Sequence, residues 1–169
     1  MTYSKLLVVL MAVSLLSGCT MKYSFTGASI PQETKTVSVY DFPNMAPLVN
    51  PTLTNIFTEA LKDKFVSLTR LQVVTEYGDL EFSGSIVDYR TQPMAIQANS
   101  DQAAQNRLTI TVKVKFTNAQ NPKANFDTNF SRYSDYSSDK NLQDVEDALV
   151  TEILEQLIDD IFNKAVVNW

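Results

Sequence analysis

The chain has 169 residues and a formal net charge of −5, and an acidic chain is a poor general binder of nucleic acid. It contains no histidine, which removes the commonest general base and the commonest metal ligand. A single cysteine excludes an intramolecular disulfide.

Lys5 and the apolar run Leu6 to Leu16 read as the positive and hydrophobic regions of a secretory signal. The run is about 11 residues, well short of the roughly 20 that a membrane-spanning helix needs. It closes on Leu16-Ser17-Gly18-Cys19, which holds the lone cysteine. Small residues directly before a cysteine, behind an apolar segment, resemble the lipobox of bacterial lipoproteins. The resemblance implies cleavage before Cys19 and acylation, palmitate included, of its sulfur and its new α-amine. A thiolate is the natural nucleophile for the thioether bond. Each buried methylene contributes about 0.8 kcal/mol, so several acyl chains make a stable anchor where one is marginal. Thr20 stands where inner-membrane retention signals in some bacteria place Asp, which favours the outer membrane. The expected parts are a signal peptide over 1–18, a lipidated linker over 19–33 and a single domain over 34–169. Loss of residues 1–18 removes Lys5 and leaves about 150 residues, enough for one domain with its own core.

Within the linker, Tyr23 to Phe25 allows a short strand. Lys35 to Phe42 alternates and predicts the first strand, with Val37, Val39 and Asp41 on one side, ended by Pro43. Asn50-Pro51 opens a helix, Asn as N-cap and Pro at the first helical position. Leu53, Ile56, Phe57, Ala60, Leu61, Phe65 and Leu68 then recur at helical spacing and are expected to face a core. Leu71 to Thr75 reads as a short strand and Tyr77-Gly78-Asp79 as a turn. Leu80 to Gln92 reads as a long strand, with a bulge expected at Ile86-Val87, where the alternation breaks, and an edge marked by Pro93. Ala98 to Gln105 is a polar loop. Asn106 to Asn118 alternates most cleanly. Leu108, Ile110, Val112, Val114 and Phe116 face one way, and Arg107, Thr109, Thr111, Lys113, Lys115 and Thr117 the other. After a short connection through Asn121-Pro122, a strand returns from Ala124 to Tyr133, with Phe126, Thr128 and Phe130 on one face. The pair is expected to be antiparallel. Finally Leu142 to Val167 predicts a long helix capped by Asn141. Its apolar pairs recur every four residues, from Leu149-Val150 to Ala165-Val166.

Two apolar stripes and one apolar sheet face are buried together in two layers. The expected fold is an α+β two-layer sandwich: a mixed four- to five-stranded sheet with two helices packed on one face. The strands flanking the first helix are then parallel. No catalytic constellation is visible. Asp159 and Asp160 resemble a paired acid, but adjacent helical residues point about 100° apart, and their plain reading is a solvated face. No phosphate-cradling glycine loop and no CxxC metal spacing occur, so neither a metal nor a cofactor is expected. The polar sheet face with Arg107, Lys113 and Lys115 reads either as an ordinary soluble face or as an anion-facing surface for a phosphorylated glycolipid. In the second reading Arg90, next to Tyr89, and Arg132, next to Tyr133, extend it.

Several stretches together resemble the lipopolysaccharide-assembly lipoprotein family LptE: Tyr23 to Pro31, the helix Asn50 to Phe65, the strand Gln105 to Asn118, Phe130-Ser131-Arg132-Tyr133 and the tail Phe162 to Trp169. The resemblance implies a non-enzymatic, outer-membrane, periplasm-facing lipoprotein. Such a protein would assemble with and plug the LptD β-barrel, support lipopolysaccharide transport to the outer leaflet, and bind lipopolysaccharide directly. The basic sheet face is a reading of these residues and is not transferred from the family. The rival reading is a lipid-anchored periplasmic adaptor of a secretion or envelope-assembly complex, told apart by which protein co-purifies.

Overall fold

A computed structural model describes residues 30–48, 50–94 and 104–166. The signal peptide, Cys19 and most of the linker, with its Tyr23 to Phe25 strand, lie outside the described residues. So do residues 95–103, which include most of the expected Ala98 to Gln105 loop, and the last residues of the tail. Ile30 packs against the core and Thr34 is buried.

The described elements are β1 (Thr36–Val39), α1 (Leu53–Leu68), β2 (Gln72–Val74), β3 (Leu80–Pro93), β4 (Gln105–Asn118), a 3-10 turn (Pro122–Ala124), β5 (Phe126–Ser137) and α2 (Leu142–Val166). They form the expected two layers: one five-stranded mixed sheet in the order β2-β1-β3-β4-β5, with both helices on one face. β1 is parallel to β2 and to β3, whereas β3-β4 and β4-β5 are antiparallel.

Alternation decides what β4 buries. Leu108, Ile110, Val112, Val114 and Phe116 are buried under the helices, as the sequence pattern requires. Aromatic rings run across this floor. Phe65 of α1 meets Phe82 of β3 and Phe162 of α2, Phe82 meets Phe116, and Phe116 meets Phe126, with ring centres 4.8–5.2 Å apart. The four-residue steps of α2 put Leu149, Val150, Ile153, Leu154, Leu157, Ile158, Ile161, Phe162 and Val166 in the same core.

Local starts and stops differ in instructive ways. Regular hydrogen bonding in α1 begins at Leu53, later than Asn50-Pro51, yet Asn50 still works as a cap: its Oδ1 accepts from the Thr52 amide (3.0 Å) and hydroxyl (2.8 Å). Ile56, expected on the buried stripe, is exposed, because α1 buries the narrower row Leu53, Phe57, Thr58, Leu61 and Phe65. β1 stops at Val39, so Asp41 lies outside it and is exposed, and Phe42 enters the core instead. The bulge falls where expected, with the β3-β4 register shifting between Ile86 and Asp88.

A step in the chain over β1 is not visible in the pattern. β2 and β3 flank β1, so Thr75 to Asp79 must cross it. Gly78 lies on the β1 backbone, where a Cβ would sit 2.5 Å from the Ser38 nitrogen. Only glycine permits that approach, and the left-handed residue of the turn is its neighbour Tyr77 (φ 57°). The crossing buries Ser38, although alternation places it on the face opposite Val37 and Val39. Asp79 locks it: one carboxylate oxygen accepts from the Lys35 amide (2.8 Å), the Thr36 amide (3.0 Å) and the Thr36 hydroxyl (3.0 Å). The Lys35 amide, aided by those of Thr36, holds the Asp79 carboxyl below its ordinary value.

Candidate functional site

The broad surface left open is the sheet face away from the helices. Register places its residues in cross-strand rows. From the Pro93 end of β3 downwards these are Gln92-Arg107-Asp135, Arg90-Thr109-Tyr133, Asp88-Thr111-Ser131, Ser85-Lys113-Asn129 and Ser83-Lys115-Asp127, with Glu81 beside Thr117. Arg90, Arg107, Lys113 and Lys115 do share this face.

Each of the first three has a carboxylate beside it. Arg107 grips Asp135 with both arms of its guanidinium, at 2.7 and 2.8 Å, and lies 3.5 Å over the centre of the Tyr133 ring. The bidentate fork and the ring fix it in one pose. The same pair raises the Arg107 guanidinium above its ordinary value and lowers the Asp135 carboxyl. Arg90 pairs with Asp88 two residues back, and Lys113 stands 3.5 Å from Asp127. Lys115 makes no ion pair among the described residues. Four cations thus share the face with four carboxylates, Glu81, Asp88, Asp127 and Asp135. It is polar and charge-balanced, not the basic surface the cations alone suggested. Thr109, expected to be open, is buried between Arg90 and Tyr133 on the neighbouring strands.

Arg132 is the correction. It lies opposite Ile110 on β4 and so projects on the helix side, where it grips Asp160 of α2 at 2.6 and 2.8 Å. It pins a helix to the sheet margin and takes no part in the open face. Tyr89 likewise points inward: it is buried, and its hydroxyl donates to Glu146 of α2. Burial first, and then Glu146, raise the Tyr89 phenol above its ordinary value. Asp159 and Asp160 separate as their angle requires, Asp159 pairing with Lys64 of α1 and Asp160 with Arg132 of β5. They are anchors on either side of α2, so the solvated-face reading undervalues them.

The partners missed from the sequence were legible by counting. Across the β4-β5 hairpin, residues equidistant from Asn121 face each other, which pairs Arg107 with Asp135 and sets Arg132 against Ile110. Among the described residues no cluster of three or more potential metal ligands occurs.

The described residues form a two-layer α+β domain with one broad, polar, charge-balanced sheet face. The model of the LptE lipopolysaccharide-assembly family matches residues 34–165, most of the chain, and the chain belongs to that family. Its place is therefore in lipopolysaccharide assembly. The fold is similar to that of a minor lipoprotein from Acinetobacter baumannii, with 14% identity, TM-score 0.52, and coverage of 78% of this chain and 92% of that one. It is similar also to the hypothetical protein CT253 from Chlamydia trachomatis, with 8% identity, TM-score 0.52, and coverage of 80% and 99%. A putative neuraminyllactose-binding hemagglutinin homolog from Helicobacter pylori shares it with 10% identity, TM-score 0.52, and coverage of 84% and 88%. At these identities the likeness is one of fold alone. No curated protein matches the chain in sequence.

Proposed function

We propose that the chain is a non-enzymatic lipoprotein of the outer membrane, held at the periplasmic leaflet by acylated Cys19, that assembles with and plugs the LptD β-barrel. The carrying observation is the family match over 34–165 on a domain whose broad open face is polar and charge-balanced. A barrel lumen is polar, and a face with cations and carboxylates in alternate pairs can meet such a wall without stranding a net charge. The domain begins at the end of the sheet that carries the β4-β5 hairpin, where the Thr34 hydroxyl donates to Gln120 (2.9 Å). The tether therefore joins at that end, and the end where β3 finishes at Pro93 and β4 begins at Gln105 is the far end. Tethering raises the local concentration of the domain at the barrel.

Direct contact with lipopolysaccharide belongs to the same proposal. Phosphates meet Lys115, which has no ion pair among the described residues, and Lys113, whose Asp127 stands at 3.5 Å, more readily than Arg107 or Arg90, which would first have to release the closer Asp135 or Asp88. Depletion of the protein is expected to lower the amount of folded barrel and of surface lipopolysaccharide; normal surface lipopolysaccharide after full depletion would reject the function. Cys19→Ala is expected to leave an uncut precursor, and mass spectrometry showing normal cleavage after Gly18 would reject the anchor. Replacing Lys113 and Lys115 together with Gln is expected to weaken lipid binding more than barrel binding. Equal loss of both would remove the lipid contact from this face.

A further inference from the structure

We infer that the outer edge of β5 is a docking edge for an extended backbone segment of another polypeptide, which adds to the sheet as a sixth strand. The identity of that polypeptide as the barrel partner rests on the proposed function.

The sheet has three stretches of open edge among the described residues, and two of them are closed to pairing. β2 is 3 residues long, too short to template a strand. The upper half of β3, beyond its contact with Asn44 and Met45, is bulged at Ile86/Asp88 and ends in Pro93. The Met94 amide donates to the Gln105 carbonyl of β4 (2.8 Å), so the nitrogen of residue 93 faces away from β4. The proline thus takes one hydrogen-bond donor off the open edge. Shortness, a bulge and an edge proline are the usual protections of a sheet margin.

β5 carries none of these. It is 12 residues long, has no proline, and keeps one unbroken register with β4. The Ser138 amide donates to the Ala104 carbonyl (3.0 Å). With that register, even-numbered residues of β5 turn their backbone groups to β4, and odd-numbered residues turn theirs outward. The amides and carbonyls of Asp127, Asn129, Ser131, Tyr133 and Asp135 therefore form a continuous row of outward donors and acceptors. Its charged side chains have partners of opposite sign within the chain, so a strand of another sequence meets no excess of one charge: Asp127 with Lys113, Asp135 with Arg107, and Arg132 with Asp160.

A second copy of the chain fits this edge poorly. Antiparallel pairing must join outward-facing residues to outward-facing residues. Two registers give the longest overlap of two β5 strands: centred on Ser131 it sets Asp127 against Asp135 at both ends, and centred on Arg132 it sets that arginine against its own copy, and like charges directly opposite are destabilising. A strand from a different polypeptide has no such constraint. Main-chain hydrogen bonds supply its affinity, while alternate side chains falling beside Tyr133 and Ser131 supply its choice.

The test uses the acylated mature protein, free and bound to the barrel, with single-amide hydrogen exchange as the readout. The amides of residues 127, 129, 131, 133 and 135 are expected to exchange fast in the free protein and to become protected in the complex. Asn129→Pro removes an outward donor without touching the β4 ladder, and it is expected to keep the wild-type melting temperature and lose barrel co-purification. Thr128→Pro removes a ladder bond instead and is expected to lower the melting temperature. Outward amides that stay fast in a complex that forms would overturn the inference while leaving the barrel reading intact. Amides already protected in the free protein would assign the edge to the chain's own residues. Protection that rises with concentration of the free protein would assign it to a second copy; either result overturns the inference. Wild-type protein that brings down no barrel removes the partner itself, and with it the proposed function. If Asn129→Pro melts early, the exchange comparison on wild-type protein decides alone.

Discussion

Gly84→Ala is expected to destabilise the domain severely, although it adds only one methyl group. Gly84 lies opposite Val114 in the β3-β4 ladder. A Cβ there would sit 1.9 Å from the Lys113 carbonyl oxygen and 2.7 Å from Cε1 of Phe42. The ring can swing away; the carbonyl cannot, because odd-numbered carbonyls of β4 face β3, as the Met94 bond to Gln105 shows. Relief means prying β3 from β4 at Ser85-Lys113. Overpacking costs about 1–3 kcal/mol where side chains can give, and a fixed backbone atom puts this site at or above the top of that range. For a domain of this size each kcal/mol lowers the melting temperature by about 2–4 °C, so a fall of about 6–12 °C is expected. Far-UV circular dichroism melts of the purified mature protein read it directly. Combining Gly84→Ala with Phe42→Ala separates the two contacts. If the carbonyl governs, the double variant still melts well below Phe42→Ala alone. A Gly84→Ala melt within about 2 °C of wild type would refute the close approach and the strand twist that creates it.

Val112→Asp is expected to unfold the domain at moderate temperature, since it forfeits about 1.5–3 kcal/mol of burial and leaves an unpaired buried charge. The neighbouring Lys113→Gln, on the open face, is expected to melt like wild type, and equal melts for wild type and Val112→Asp would refute the register. Asp79 and Asp135 have folded values below the ordinary 3.8, so their stabilisation is complete above that value and is lost as pH falls through the lower folded values. Melting temperature is therefore expected to hold down to about pH 5 and drop below about pH 4, with a shallower drop in Asp79→Asn. An identical acid limb in Asp79→Asn would show that the Lys35 and Thr36 contacts contribute nothing.

The repeating patterns were legible in the sequence because their cause is local. Strand β4 alternates, since successive side chains leave opposite faces of a pleated backbone. Helix α2 repeats in steps of four because a helix turn is near that length. Neither the burial of Val112 nor that of Ile153 needs knowledge of any distant residue. The bulge at Ile86 was visible for the same reason, as a break in period. What only the tertiary structure decided is what meets across the chain. Ser38 is buried because a later turn passes over it. Arg107 is neutralised by Asp135, and Arg132 is drawn to the helix side by its place opposite Ile110, so a face that looked basic is balanced. Ile56 repeats on the helical stripe yet stays exposed, because none of the described elements packs over its side of α1. Periodicity says which face a residue shares, whereas charge balance, burial beyond one's own element and an open edge depend on which strands end up side by side. That order, β2-β1-β3-β4-β5, is set by the packing of distant segments and leaves no mark in local spacing.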